Sequence, residues 1–211
     1  YASASITLAG SATTGSITVT ASAAVFAASD VGSIWKQRGK AFRITAFTDS
    51  THVTATVLDT LTDTTATASW AEQAASAKRG YFRSIAYYQG RLWLGGTRDA
   101  PTEIWASRVG APYDFLNGGA DADDPFQFTV STGQIEPIRY LVPGSGGLEV
   151  YTQGNEGIIP GGIDAAITPA SVSYVAQSSF GSKSVKPVRL NSSTIFSQAR
   201  SGTIREMIYS D

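Results

Sequence analysis

The sequence predicts an all-β protein, with a small β-barrel or β-sandwich over residues 1–75 followed by part of a β-propeller-like region over residues 76–211. Three observations carry this expectation. Apolar residues alternate with Thr and other polar residues in short runs, the period-two signature of half-buried strands. Gly, Ser, Asn and Asp punctuate those runs at turn spacing. Helix-forming runs of Glu, Lys and Leu are missing from a chain rich in Ser, Thr, Ala and Gly, a composition that suits strands and turns. Such a composition alone also fits disorder, but regular alternation creates apolar faces that a disordered chain lacks.

The front region is read element by element. Ile17 and Val19 alternate with Thr18 and Thr20; Phe42, Ile44 and Ala46 alternate with Arg43 and Thr45; Val53, Ala55 and Val57 alternate with His52, Thr54 and Thr56. Turn signals at Gly10-Ser11, Thr14-Gly15, Arg38-Gly39-Lys40 and Asp49-Ser50 separate them. Five or six short strands around one core are expected. A short helical turn fits within Ala21–Val31, with Ser29 or Asp30 as its cap. Glu72–Lys78 reads as a connector, and Arg79–Arg83 marks entry into a region richer in Trp, Tyr, Arg and Gly.

Three stretches of the second region share the pattern strand, tight turn, strand, loop, strand: Ile85–Ser107, Ile138–Pro160 and Val188–Tyr209. Their middle strands begin near Leu92, Leu148 and Ile195, a period of roughly 50 residues, in the range of propeller blades. Fourth strands are expected at Phe126–Val130 and Val172–Ala176. Closed propellers need about four blades or more, and three are visible. Either the repeat is accidental and the region is a sandwich, or these residues are an excerpt of a larger propeller; the second reading is preferred. Tyr1 in place of an initiator methionine points the same way.

Charge and composition exclude several classes. With 16 basic against 17 acidic residues, the chain lacks the excess that a protein gripping nucleic acid or an anionic membrane needs. Four of the basic and five of the acidic residues precede residue 76, which leaves 12 of each in the second region. The arginines Arg83, Arg91, Arg98 and Arg108 are therefore expected to pair with carboxylates instead of forming a DNA-binding stripe. No cysteine means no disulfide framework, thiol nucleophile or thiolate metal site. No apolar run reaches the roughly 20 residues of a membrane-spanning helix, no signal peptide is legible, and no membrane partner is expected.

The stretch Tyr87–Phe115, with Gln89-Gly-Arg-Leu-Trp-Leu-Gly-Gly-Thr97, Glu103-Ile-Trp-Ala-Ser-Arg108 and Asp114-Phe115, resembles a segment of structural proteins of tailed bacteriophages and prophages. These are the tail nozzle or tail hub proteins of short-tailed phages. Further stretches match in order: Asp121–Val130, Gln134–Val142, Gly154–Gly157, Ser179–Gly181, Val185–Val188 and Gly202–Glu206. The resemblance covers residues 80 to 210, and the front region around Ser29–Gly32 is similar to a small β-domain that precedes it in such proteins. Ile158-Ile159-Pro160 departs from the family, which has an aromatic residue there, and this puts the packing of that blade in question. The resemblance implies a virion protein of the phage tail: a homo-oligomeric ring with a propeller-like body, in contact with other tail or portal-adaptor proteins. DNA would pass through it non-specifically during ejection.

Each chemical candidate is weighed against a structural reading. His52 is the only histidine, lies on the Thr-rich face of its strand, and lacks the partners of a triad or a zinc site. Asp121, Asp123 and Asp124 could offer hard oxygen ligands to calcium, yet lack the twelve-residue loop and closing Glu; a solvated loop is preferred. The pairs Gly95-Gly96, Gly118-Gly119, Gly146-Gly147 and Gly161-Gly162 fit no phosphate-loop pattern and read as turns. Glu136, Glu149, Glu156 and Asp164 would have to face one another across a sugar to serve a glycosidase. Trp93, Trp105, Tyr87, Tyr88, Tyr113 and Phe115 fit sugar stacking, or core and oligomer-interface anchors.

The expected function is structural: a non-enzymatic nozzle or hub subunit, without cofactor or metal, walling the conduit for DNA ejection. The alternative is a receptor- or carbohydrate-binding β-module of a phage tail. An enzyme such as a glycan hydrolase stands third.

Overall fold

Period-two alternation in the sequence is realised as strands almost everywhere it occurs. In a computed structural model describing residues 2–115, 119–133, 135–162 and 165–208, the protein is all-β, built of antiparallel sheets, with no α-helix among the described residues. Tyr1, Gly118, Gln134, Asp164 and Tyr209, which the sequence reading used, lie outside the described residues. Contacts divide the chain into two compact units, Tyr1–Gly80 and Tyr81–Asp211.

The first unit contains β1 (Leu8–Gly10), β2 (Ser16–Ala21), β3 (Ile34–Gln37), β4 (Lys40–Asp49), β5 (His52–Val57) and β6 (Trp70–Glu72) in one sheet of order β1-β2-β5-β4-β3-β6. The sheet curls toward barrel closure, because Leu8 and Thr67 exchange both backbone hydrogen bonds at 2.9 Å. Inside it lie Ile17, Val19, Phe42, Ile44, Val53 and Ala55, with Trp35 stacked on Trp70 at 5.4 Å between ring centroids. Ala46 does not join this face as its alternation predicts: the ladder between β4 and β5 slips between Ile44 and Ala46, and the bulge turns Ala46 to solvent. Of the helical turn expected in Ala21–Val31, only a single 3-10 turn at Ala28–Asp30 forms, where Asp30 Oδ2 accepts the Ala27 N–H at 2.8 Å.

The segment expected to be a connector is part of this unit. Glu72 ends β6 with its side chain buried, and residues 76–80 fold back to meet it. Arg79 Nη2 lies 2.8 Å and Lys78 Nζ 4.0 Å from Glu72 Oε2, and Lys78 Nζ is 3.6 Å from the buried Asp30. A buried carboxylate requires such partners, so the charged residues hold the segment on the barrel.

The second unit is three antiparallel sheets. The first joins β7 (Ser84–Tyr88), β8 (Arg91–Gly95), β9 (Glu103–Ala106) and β10 (Phe126–Thr129); the second joins β11 (Ile138–Pro143), β12 (Gly147–Thr152), β13 (Glu156–Pro160) and β14 (Val175–Ser178). The third holds β15 (Val188–Leu190), β16 (Ser193–Ser197) and β17 (Ile204–Ile208). In each, consecutive strands pair in chain order. The expected fourth strand at Val172–Ala176 begins later, at Val175, because Val172 and Tyr174 cover the core beside it instead.

The middle sheet is covered on both faces, so every residue of β12 is buried. Leu148 and Val150 pack with Trp93, Ile104 and Phe126 of the first sheet, while Tyr151, on the opposite face, meets Phe196 of the third. Ile158 and Ile159 are both buried, one on each face, so β13 is a strand apolar on both sides at this point. The first strands of successive sheets touch directly. The Leu141 N–H in β11 donates to Ser84 Oγ in β7, and Arg189 Nη1 in β15 donates to the Pro143 carbonyl in β11 at 3.0 Å.

Candidate functional site

The densest chemistry of the second unit surrounds Arg91 and the acidic loop before β10. Gln89 and Gly90 both take positive φ, +49° and +72°, the two-residue hairpin turn that matches strand twist and that glycine permits at its second position. This turn sets Arg91 on the same face as Trp93, toward the interior, where it is fully buried. Its guanidinium donates to four backbone carbonyls: Nη1 to Ser107 at 2.6 Å, Asp124 at 2.8 Å and Asp123 at 3.3 Å, and Nη2 to Ala122 at 2.5 Å. Burial pushes its pKa down from the ordinary arginine value, opposed by the charges of Asp123 and Asp124. The expectation that Arg91 pairs with a carboxylate side chain is thus corrected: its planar fork grips main chain.

Arg108 takes the carboxylates. It reaches Asp124 Oδ1 at 2.7 Å, Asp114 Oδ2 at 3.0 Å and Asp123 Oδ2 at 3.3 Å. Asp124 Oδ2 also accepts the Asp121 N–H at 3.1 Å, and Arg98 pairs with Asp99 at 2.8 Å. Asp121 and Asp123 are exposed but Asp124 is buried, so the loop is less solvated than the sequence reading has it. No cluster of three potential metal ligands forms among the described residues. An arginine supplies the positive charge that Asp114, Asp123 and Asp124 share.

The glutamates separate into distinct environments. Tyr151 OH donates to Glu149 Oε2 at 2.8 Å, and burial pushes that phenol above the ordinary tyrosine value. Glu156 is fully buried; its Oε2 accepts the Ser178 hydroxyl at 2.5 Å, and burial raises its carboxyl above the usual range. Glu136 accepts from Asn155 Nδ2, whose Oδ1 accepts the Tyr174 hydroxyl, a chain that pins the turn between β12 and β13. A groove of about 420 Å³ lies between β14 and β17, with Arg205 stacked on Phe180 and Glu206 as the carboxylate in its lining.

The remaining sequence candidates take ordinary places. His52 opens β5 with Nδ1 3.1 Å from Asp49, in a turn where Thr51 bonds lower the Asp49 carboxyl to about 2. Trp93 is 0% exposed and Trp105 is buried beside Phe82, so neither can stack on a sugar; Tyr113, by contrast, is 93% exposed. Gly95 and Gly147 lie within strands and not in turns. A Cβ at Gly95 would sit 3.0 Å from Ile138 Cγ2, so the bare backbone lets the middle sheet approach.

Sequence reasoning missed Arg91 as a main-chain clamp, although alternation with Trp93 and Gly95 is a legible signal of an inward arginine. The Glu136–Asn155–Tyr174 chain left no local pattern, because its members come from separate elements. No protein-family model and no curated protein matches the chain. Among the described residues, no helix is long and apolar enough to cross a membrane.

Proposed function

We propose that the chain is a virion structural protein, a subunit of the oligomeric nozzle or hub ring at the tail of a short-tailed phage. It walls the conduit for DNA ejection and catalyses no reaction. The observation that carries this is the stacking in the second unit: three sheets whose middle member is covered on both faces. Such stacking supports reading the sheets as successive propeller blades, which bury their faces only against neighbours. The resemblance of residues 80–210 to nozzle and hub proteins supports the same reading. So does the chemistry, because Arg91, Arg108 and the buried glutamates are engaged in holding loops and strands. A near-balanced charge suits a passage that must not retain DNA.

Cryo-electron microscopy of a particle carrying the chain tests this reading. Density for the stacked sheets in a ring at the distal tail is expected; location in the capsid or in a fibre overturns it. A second reading, a receptor- or carbohydrate-binding tail module, is favoured by the exposed rings of Tyr113 and Tyr81. Specific glycan-array binding that is lost in Tyr113→Ala selects it.

A further inference from the structure

The first unit brings Asp30, Glu72 and Lys78 together in one buried pocket. Both carboxylate side chains are fully buried, and Lys78 Nζ lies 3.6 Å from Asp30 Oδ2 and 4.0 Å from Glu72 Oε2. The ammonium sits 5.8 Å from the centre of the Trp35 ring, at the aromatic end of the core that Trp35 forms with Phe26 and Trp70. An ammonium beside a carboxylate has the composition of an amide plus one water.

The pocket provides for the amide more fully than for the ion pair. Asp30 Oδ2 accepts the Ala27 N–H at 2.8 Å, a bond that an amide carbonyl keeps and that polarises the carbon for attack. Lys78 Nζ donates to the Val25 carbonyl at 2.6 Å, a bond that an amide N–H keeps as well. Glu72 Oε2 retains Arg79, whose Nε and Nη2 donate to it at 2.9 and 2.8 Å, so its charge stays paired once the ammonium is gone. Asp30 Oδ1, the remaining oxygen, is buried and has no hydrogen-bond partner among the described residues. It is the atom that condensation removes. Its departure, with the loss of two charges, relieves the cost of holding such groups away from water.

We propose that Lys78 and Asp30 condense to an intramolecular isopeptide bond, with Glu72 carrying the protons. Glu72 Oε2 takes a proton from the ammonium, and the amine nitrogen forms a bond to Asp30 Cγ. The Cγ–Oδ1 bond then breaks. Oδ1 leaves as water with the two protons that the nitrogen gives up, both passed through Glu72, which ends as it began. Nothing is oxidised or reduced, and no co-reactant enters. Well-oriented intramolecular pairs reach effective concentrations of about 10⁵–10⁸ M, the advantage that an unactivated carboxyl needs. The ion pair is the reactant, and the amide fastens the fold-back of residues 76–80 to the barrel covalently. The bond concerns the first unit alone and holds whatever assembly the chain joins.

The intact mass of the folded 211-residue chain, followed from fresh purification through prolonged incubation, tests this, and the loss of one water is expected. After trypsin, the peptides carrying Asp30 and Lys78 should run as one branched species, which distinguishes the amide from a cyclised aspartate. Lys78→Arg keeps the charge but cannot make the bond, and should hold the full mass of its sequence. Glu72→Gln, shown to be folded by circular dichroism, should condense at least about a hundredfold more slowly. A natural chain that keeps its full mass, a lost water that does not join these two peptides, or an unchanged rate in Glu72→Gln overturns the proposal.

Discussion

The backbone N–H of Leu141 donates to Ser84 Oγ at 2.8 Å, a buried bond between the first strands of two different sheets. Leu141 sits where strand pairing alone does not supply this donor's partner, so the hydroxyl does. Ser84→Ala should leave a buried N–H unpaired and lower the stability of the second unit by about 1–3 kcal/mol. Urea unfolding followed by tryptophan fluorescence measures this, and a loss below about 0.5 kcal/mol would show that water replaces the hydroxyl.

Arg91 holds the loop at residues 121–124 through backbone carbonyls, and a lysine cannot match that fork. Arg91→Lys keeps the charge but offers one point of donation in place of a planar pair. A loss of about 2–3 kcal/mol is expected from the bonds forfeited around a buried charge. Amide exchange at residues 121–124 should quicken before that of β7 or β8. Equal acceleration across all three would show that Arg91 acts through the core and not through the loop.

Much of this fold was legible because strand alternation is local. The runs at Ile17–Thr20, Val53–Val57 and Leu92–Gly95 needed no knowledge of their partners, and the three-fold pattern of middle strands fell on β8, β12 and β16. What was not legible depends on distant neighbours. Ala46 keeps the period of its run and still faces solvent, because a slip against β5 is a property of the pair. Glu72–Lys78 reads as a polar connector until Asp30, more than 40 residues earlier, gives Lys78 a buried carboxylate to meet. The candidate site followed the same division: an inward Arg91 is implied by its strand, but its four acceptors are contributed by two other segments.

The fold-back of residues 76–80 onto the first unit leads to a test in that unit. Lys78 Nζ donates to the Val25 carbonyl at 2.6 Å and faces the buried carboxylates of Asp30 and Glu72. Lys78→Met removes the ammonium while keeping most of the chain's bulk. Breaking a fully buried ion pair costs about 3–5 kcal/mol. The Lys78 side chain is 25% exposed, so water screens part of the interaction and a loss of about 2 kcal/mol is the expected result. Hydrogen exchange should show reduced protection in β3 and β6, with the second unit unchanged; unaltered protection in β6 would sever the link between this lysine and the barrel.

Glu156 makes stability depend on pH in an unusual direction. Burial raises its carboxyl, with the Ser178 hydroxyl, the Phe180 backbone and the Arg205 charge opposing and the Glu136 charge adding to the rise. A carboxyl raised in the folded state binds a proton more tightly there than in the unfolded chain. Its contribution is fully present below the ordinary glutamate value of about 4.3 and is lost as pH climbs through the folded value. Glu156→Gln stays neutral at every pH and can still accept the Ser178 hydroxyl. The difference in stability between Glu156→Gln and the natural chain should therefore move in favour of the variant as pH rises from about 4 to 7. Paired urea titrations across that range measure the difference directly and cancel the titration of all other groups. A difference that stays flat, or that moves toward the natural chain, would mean that Glu156 is charged in the folded state with its oxygens well stabilised.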